Sequence, residues 1–267
     1  MRKLLVSICI GLAVIMNATF AAAATAPVFD TTGLNAGVVA IAYDSDSDKR
    51  LKVMIEKSGK SMTYDLNSDG QTESFPLQMG DGQYRISVLE NTTGIKYKYV
   101  STKEVDLDIT DGKKVYLASV QNIRWNRDME TIKTASRLTE GLSTDIEKIK
   151  VIYDYVVSNI SYDYDKLVKL NTTYVPDIDS TIASGKGICY DYSSVFAAML
   201  RSQGIPAKLV KGYSPNVEGY HSWNEVYNND TEKWMIIDTT YDSLMRAAKV
   251  KYSMEKSQAQ YTKNYEY

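Results

Sequence analysis

The chain has 267 residues, 44% of them hydrophobic, 24% charged and 10% aromatic, which is ordinary globular usage and enough for one large or two modest domains. Its formal charge of −2 provides no basic field, which argues against nucleic acid or anionic lipid as a partner. Two cysteines and one histidine are present, so any thiol or imidazole chemistry has few residues to draw on.

The first segment reads as a leader. Arg2 and Lys3 precede an apolar run from Leu4 to Met16, and the small residues Ala22-Ala23-Ala24 offer a cleavage site. The apolar run is shorter than the ~20 residues needed to cross a bilayer, which favours a signal peptide over residues 1–24 rather than a membrane anchor. The expected product is therefore secreted or cell-surface associated, with no integral membrane segment after cleavage. Cleavage removes Cys9 and takes the charge to −4. Cys189 then has no partner for an internal disulfide, so it is buried, paired with another chain, or a reactive thiol.

From residue 25 to about 125 the pattern is that of strands. Val38–Tyr43, Leu51–Ile55, Gln83–Leu89 and Lys113–Leu117 cluster or alternate β-formers. Asp69-Gly70, Gly80-Asp81-Gly82 and Asp111-Gly112 supply turn chemistry between them. Short strands at this spacing suggest an antiparallel β-sandwich of immunoglobulin-like architecture. Within it, Asp65-Leu66-Asn67-Ser68-Asp69-Gly70 matches the first half of a calcium loop, but Pro76 stands where the bidentate glutamate belongs. A solvated hairpin turn is the better expectation, and Asp44, Asp46 and Asp48 likewise read as a charged loop. No cofactor or metal site is expected.

Residues 126–267 change to a helical pattern. A short helix is expected over Asp128–Leu138, and apolar residues from Ile146 to Ile160 follow helical spacing behind a capping box of Thr144 with Glu147. A third helix starts at Cys189 and runs to Gly204, whose glycine ends it. Strand-like runs follow at Ala207–Tyr213, Ser222–Tyr227 and Trp234–Asp238. Helices followed by strands describe an α+β domain. The polar, tyrosine-rich tail from Ala247 to Tyr267 gives no clear signal.

Cys189, His221 and Asp238 follow in that order, and they are the groups a thiol acyl-transfer site needs. A cysteine at a helix start is biased towards the thiolate by the helix dipole and unpaired N–H groups. His221 would then act as base and acid, with Asp238 fixing its tautomer. The plain alternative for Cys189 is an inert buried thiol, and Asp242, four residues after Asp238, is a residue that could cap a turn or serve in place of Asp238. The histidine comes too soon after the cysteine for a papain-type chain order, and caspase order also fails.

Three blocks resemble the transglutaminase-like superfamily: Gly187-Ile188-Cys189-Tyr190-Asp191-Tyr192, His221-Ser222-Trp223-Asn224-Glu225-Val226 and Ile237-Asp238-Thr239-Thr240-Tyr241-Asp242. The resemblance extends over roughly residues 143–243. It implies a papain-like α+β catalytic domain, with Cys189 as nucleophile, His221 as base and acid, and Asp238 as orienting residue. It also makes Tyr162 a candidate hydroxyl donor near the oxyanion, and Trp223 a residue packed beside the histidine or walling the substrate groove. Asp191 reads as support for the helix start.

The expected activity is thiol acyl transfer on an extracellular protein or a cell-wall peptide. Peptidase or amidase action is slightly favoured over protein cross-linking. The alternative from another class is a non-catalytic binding or scaffold protein with a retired transglutaminase-like core.

Overall fold

The computed structural model describes residues 26–45 and 48–267. The expected signal peptide, with Cys9, and Asp46 of the charged loop lie outside the described residues. The first seven strands are β1 (Val28–Asp30), β2 (Val38–Ala42), β3 (Leu51–Lys57), β4 (Lys60–Leu66), β5 (Glu73–Pro76), β6 (Gly82–Thr93) and β7 (Lys96–Leu107). They pair antiparallel into a three-stranded sheet, β1-β2-β5, and a four-stranded sheet, β4-β3-β6-β7. The alternating buried residues of both sheets, among them Ile41, Val53, Ile55, Phe75, Tyr84 and Ile86, meet in a single core.

Two expectations for this half are corrected. Residues 113–117 belong to a 3₁₀ turn over Gly112–Tyr116, started by Asp111 Oδ1 accepting the Lys113 N–H at 3.0 Å. The buried pair Val115 and Tyr116 imitates a strand in the sequence, yet the Asx cap turns the chain. The Asp65–Gly70 segment is not a hairpin, because β4 and β5 lie in different sheets and the segment crosses between them. Asp65 is turned towards Lys52 and Arg50, with Oδ1 at 2.9 and 3.2 Å from their nitrogens.

The remaining chain begins with α1 (Glu130–Leu138) and α2 (Asp145–Asn159), followed by β8 (Ser161–Tyr162), α3 (Tyr164–Lys169), α4 (Ile178–Ser184) and β9 (Lys186–Gly187). It continues with α5 (Cys189–Ser202), β10 (Ala207–Ser214), β11 (Val217–Asn228), β12 (Lys233–Ile237), α6 (Thr239–Ala247), β13 (Glu255–Lys256) and β14 (Thr262–Glu266). The expected capping box is present on α2: Glu147 N–H donates to Thr144 Oγ1, and Thr144 N–H donates to Glu147 Oε2. Gly204, with φ +79°, follows the end of α5. The helices and strands share a second core in which α5 is the central member, its residues from Tyr192 to Leu200 all buried. Among the described residues no helix is long and apolar enough to cross a membrane.

The tail is part of this domain. β14 pairs with β10 and β13 with β12, closing both edges of a five-stranded antiparallel sheet in the order β13-β12-β11-β10-β14. The tail also joins the two halves. Arg201 donates to the carbonyls of Ala118, Ala207 and Tyr267, while Tyr116 Oη donates to Glu266 at 2.6 Å. All three nitrogens of this buried guanidinium donate to backbone carbonyls, so the junction is held by fixed acceptors.

Candidate active site

The site forms where the start of α5 meets the sheet. Asn224, buried on β11, donates Nδ2 to Ser193 O of α5 at 2.9 Å and to Lys208 O of β10 at 3.0 Å. Ser222 Oγ lies 2.6 Å from Ser193 Oγ. These bonds fix the helix against the strand that carries His221.

Cys189 is the first residue of α5 and is partly exposed rather than buried. The opening amides of a helix have no intrahelical acceptor, and Cys189 stands at that end of α5. Asp191, fully buried two residues on, holds the turn. Its Oδ2 accepts the Ile188 N–H at 2.8 Å and pairs with Lys166 Nζ at 2.7 Å, while Oδ1 accepts Tyr174 Oη. The expected supporting role of Asp191 thus has a concrete form.

His221 lies on β11 opposite Gly212 of β10. Its Nε2 is 2.8 Å from Asp238 Oδ2, and the Cys189 thiol is close enough to favour the charged form of the same imidazole. Burial opposes protonation of His221, but the charge and hydrogen bond of Asp238 outweigh it, with Cys189 adding to them, and the pKa rises to about 10. Asp238 is the N-cap of α6, its Oδ1 accepting the Tyr241 N–H at 3.0 Å. One carboxylate therefore serves as helix cap and imidazole partner together. Asp242 faces elsewhere, bonded to Tyr153 Oη at 2.8 Å and Lys256 Nζ at 2.5 Å, so it does not substitute for Asp238.

Tyr162 is brought beside Cys189 by the parallel bridge in which Ser161 pairs with Lys186 and Tyr162 with Gly187. Burial, with the nearby Cys189 adding to it, pushes its phenol up to about 12, so the hydroxyl remains a donor. Trp223 stacks beside His221 with ring centroids 6.2 Å apart. Its other expected role is corrected: at 1% exposure, enclosed by Val210, Ile236 and Tyr261, it cannot wall an open groove.

Sequence reasoning missed Tyr261. Its Oη donates to Asp238 Oδ2 at 2.9 Å, on the same oxygen that accepts from His221. The signal available was weak, since Tyr261 is one of 21 tyrosines and becomes relevant only because β14 returns to β10. Lys211 was also missed; it follows Val210 on β10, with Nζ 3.6 Å from the Tyr190 ring centroid.

A thiol at a helix start, an imidazole on a strand and a carboxylate that caps a helix are thus gathered in one part of the fold. The sequence profile of the transglutaminase-like superfamily matches residues 132–239, which contain all three groups, and this part of the chain is a domain of that superfamily. The uncharacterized protein YebA of Bacillus subtilis is 32% identical over 117 residues, covering 40% of this chain and 15% of YebA. The kyphoscoliosis peptidase of Homo sapiens is 25% identical over 154 residues, covering 54% of this chain and 22% of the peptidase. The chain thus spans less than a quarter of either relative. A solved structure of a candidate cysteine protease from Cytophaga hutchinsonii aligns with TM-score 0.43 and 18% identity, covering 81% of this chain and 72% of the other.

Proposed function

We propose that the protein is an exported thiol acyl-transfer enzyme in which Cys189, His221 and Asp238 act as a triad. In this proposal the two N-terminal sheets form an immunoglobulin-type sandwich that supports the catalytic domain. The reading rests on one observation: His221 is bonded to a buried carboxylate on one side and meets a thiol at a helix start on the other. Cys189 Sγ attacks a carboxamide or peptide carbonyl, and the oxyanion is received by helix-start amides with the Tyr162 hydroxyl. His221 protonates the leaving amine, leaving a thioester on the sulfur. Water or an incoming amine then gives its proton to His221 as it releases the acyl group.

Peptidase or amidase action on extracellular or cell-wall peptides is favoured over cross-linking. The testing experiment is mass spectrometry of peptides containing Gln and Lys, with small amines added. Shortened peptides report proteolysis, a gain of about 1 Da on Gln reports deamidation, and a loss of about 17 Da reports cross-linking. No change in any peptide, with wild type and Cys189→Ala indistinguishable, removes the enzymatic reading and leaves a binding role.

A further inference from the structure

The catalytic site adjoins a recess that none of the proposed chemistry uses. A cavity of about 130 Å³ lies between the two halves of the molecule, walled by Tyr64 and Asp65 from β4, by Tyr174, and by Tyr190, Lys211 and Tyr267 around its inner end. Tyr190 is the residue that follows the nucleophile, so the recess starts one residue from the reacting sulfur.

Lys211 is the unusual member. Its Nζ sits 3.6 Å from the centroid of Tyr190 and 5.4 Å from that of Tyr267, and no carboxylate of the described residues lies within ion-pair distance of it. Aromatic faces attract an ammonium without neutralising it. Burial lowers the Lys211 pKa to about 8, with Cys189 working in the opposite direction, so the group is still mainly cationic at neutral pH. The other lysines of this sheet with low exposure are paired: Lys208 with Glu225 and Glu266, and Lys256 with Asp242. The one acid in the cavity wall, Asp65, is already committed to Arg50 and Lys52. Lys211 is half-buried, and an ammonium partly withdrawn from water with no carboxylate partner gains from an anion delivered by a ligand.

Building on the acyl-transfer reading, we propose that Lys211 is a specificity residue that receives a carboxylate of the peptide substrate, so that the preferred acyl donor carries an acidic residue near the attacked carbonyl. A singly charged carboxylate matches this one cation better than a phosphate does, because Asp65 shares the wall. The acid belongs to the chain under attack, because Lys211 and Cys189 flank the same residue, Tyr190, and sense each other's charge.

The test uses short acetylated peptide amides containing Gln and carrying Glu at one further position, each compared with the peptide that has Gln there instead. Calorimetry on Cys189→Ala protein measures binding without turnover, and kcat/KM ratios are measured on protein with Cys189 intact. One Glu position is expected to bind about tenfold or more tighter than its Gln counterpart and to show the same preference in kcat/KM. Lys211→Met and Lys211→Gln should each abolish that preference, and Lys211→Arg should keep it. The proposal is overturned if no Glu position is preferred, or if a preference survives in Lys211→Met or Lys211→Gln. Binding preference without turnover would preserve the carboxylate site and defeat the acyl-transfer reading, whereas turnover indifferent to Glu would do the reverse.

Discussion

Tyr261 and His221 both hydrogen-bond to Asp238 Oδ2, at 2.9 and 2.8 Å, although one comes from the C-terminal tail and the other from the central strand β11. Oδ1 of the same carboxylate accepts the Tyr241 N–H. Every bond to Asp238 therefore restricts the rotation that would otherwise move the imidazole. Tyr261 also packs edge-on against Trp223, which stacks on the histidine, so the imidazole is held through its bond and through its ring face.

Tyr261→Phe removes one donor and keeps the ring. Its expected effect is a fall in kcat of about three- to tenfold with KM little changed, together with a loss of about 1 kcal/mol in stability. A positioning role also predicts non-additivity, since Tyr261→Phe should cost little more in kcat once Asp238→Asn is present. Additive losses in the double variant would show that Tyr261 does not act through Asp238, and an unchanged kcat in Tyr261→Phe would show that it acts only on stability.

Because His221 is the only histidine in the chain, its titration can be followed by one Cε1–H resonance without assignment. The folded protein should titrate far above the usual imidazole range, towards about 10, and Asp238→Asn should bring the midpoint down. A folded pKa above the unfolded value of 6.5 means that the native state binds this proton more tightly. The stabilisation is thus complete below pH 6.5 and lost as the pH rises through about 10. Thermal melting across that window should show wild type losing its advantage over Asp238→Asn, and an ordinary imidazole titration would refute the buried pair.

The catalytic half was largely legible in the sequence because its functional groups sit at element boundaries that carry local signals. The Thr144 capping box marks α2, the Gly204 stop ends α5, and Asp238 precedes a turn that its own side chain caps. The strands Ala207–Ser214 and Lys233–Ile237 also appear close to their expected ranges. What escaped depends on long-range pairing. β7 is exposed or half-buried over Lys96–Glu104, where lysines alternate with tyrosines rather than with aliphatic residues, and β13 and β14 are short edge strands with few apolar residues. Tyr261 and Lys211 have no local signature, because their partners lie 23 residues away for Tyr261 and across the cavity for Lys211. Helices α3 and α4 escaped for want of length, being six and seven residues.

Gly212 faces the most crowded position in the site. A Cβ there would lie 2.0 Å from Thr262 O and 2.8 Å from the Trp223 ring. Gly212 pairs with His221 on one side and with Lys263 on the other, so relief would require moving β10, β11 or β14. Gly212→Ala should cost about 3 kcal/mol or more and depress activity in whatever fraction still folds. Gly59→Ala serves as a control for composition, because a Cβ there meets nothing within 4 Å, leaving only the cost of its φ of +77°. Equal melting temperatures for Gly212→Ala and wild type would contradict the close approach of β14.

Asp191, fully buried two residues from Cys189, accepts from Ile188 N–H, Lys166 Nζ and Tyr174 Oη. Removing it leaves the Ile188 N–H and Lys166 Nζ without their acceptor at the start of α5, and releases Tyr174 from the loop that bears it. Asp191→Ala should therefore cost about 2–3 kcal/mol, chiefly from the buried Ile188 N–H left without an acceptor, since Lys166 is partly exposed to water. Asp191→Asn should cost less, because its amide oxygen still accepts the Ile188 N–H while the charge opposite Lys166 is lost. The effect should extend to chemistry: with the turn loosened, Cys189 is no longer fixed relative to His221, and kcat should fall more than KM rises. Lys166→Met in the Asp191→Asn background should recover part of the lost stability by removing the orphaned cation, and this recovery is measurable by urea denaturation. If Asp191→Ala melts with wild type, the carboxylate does not hold the helix start and the position of Cys189 has another cause.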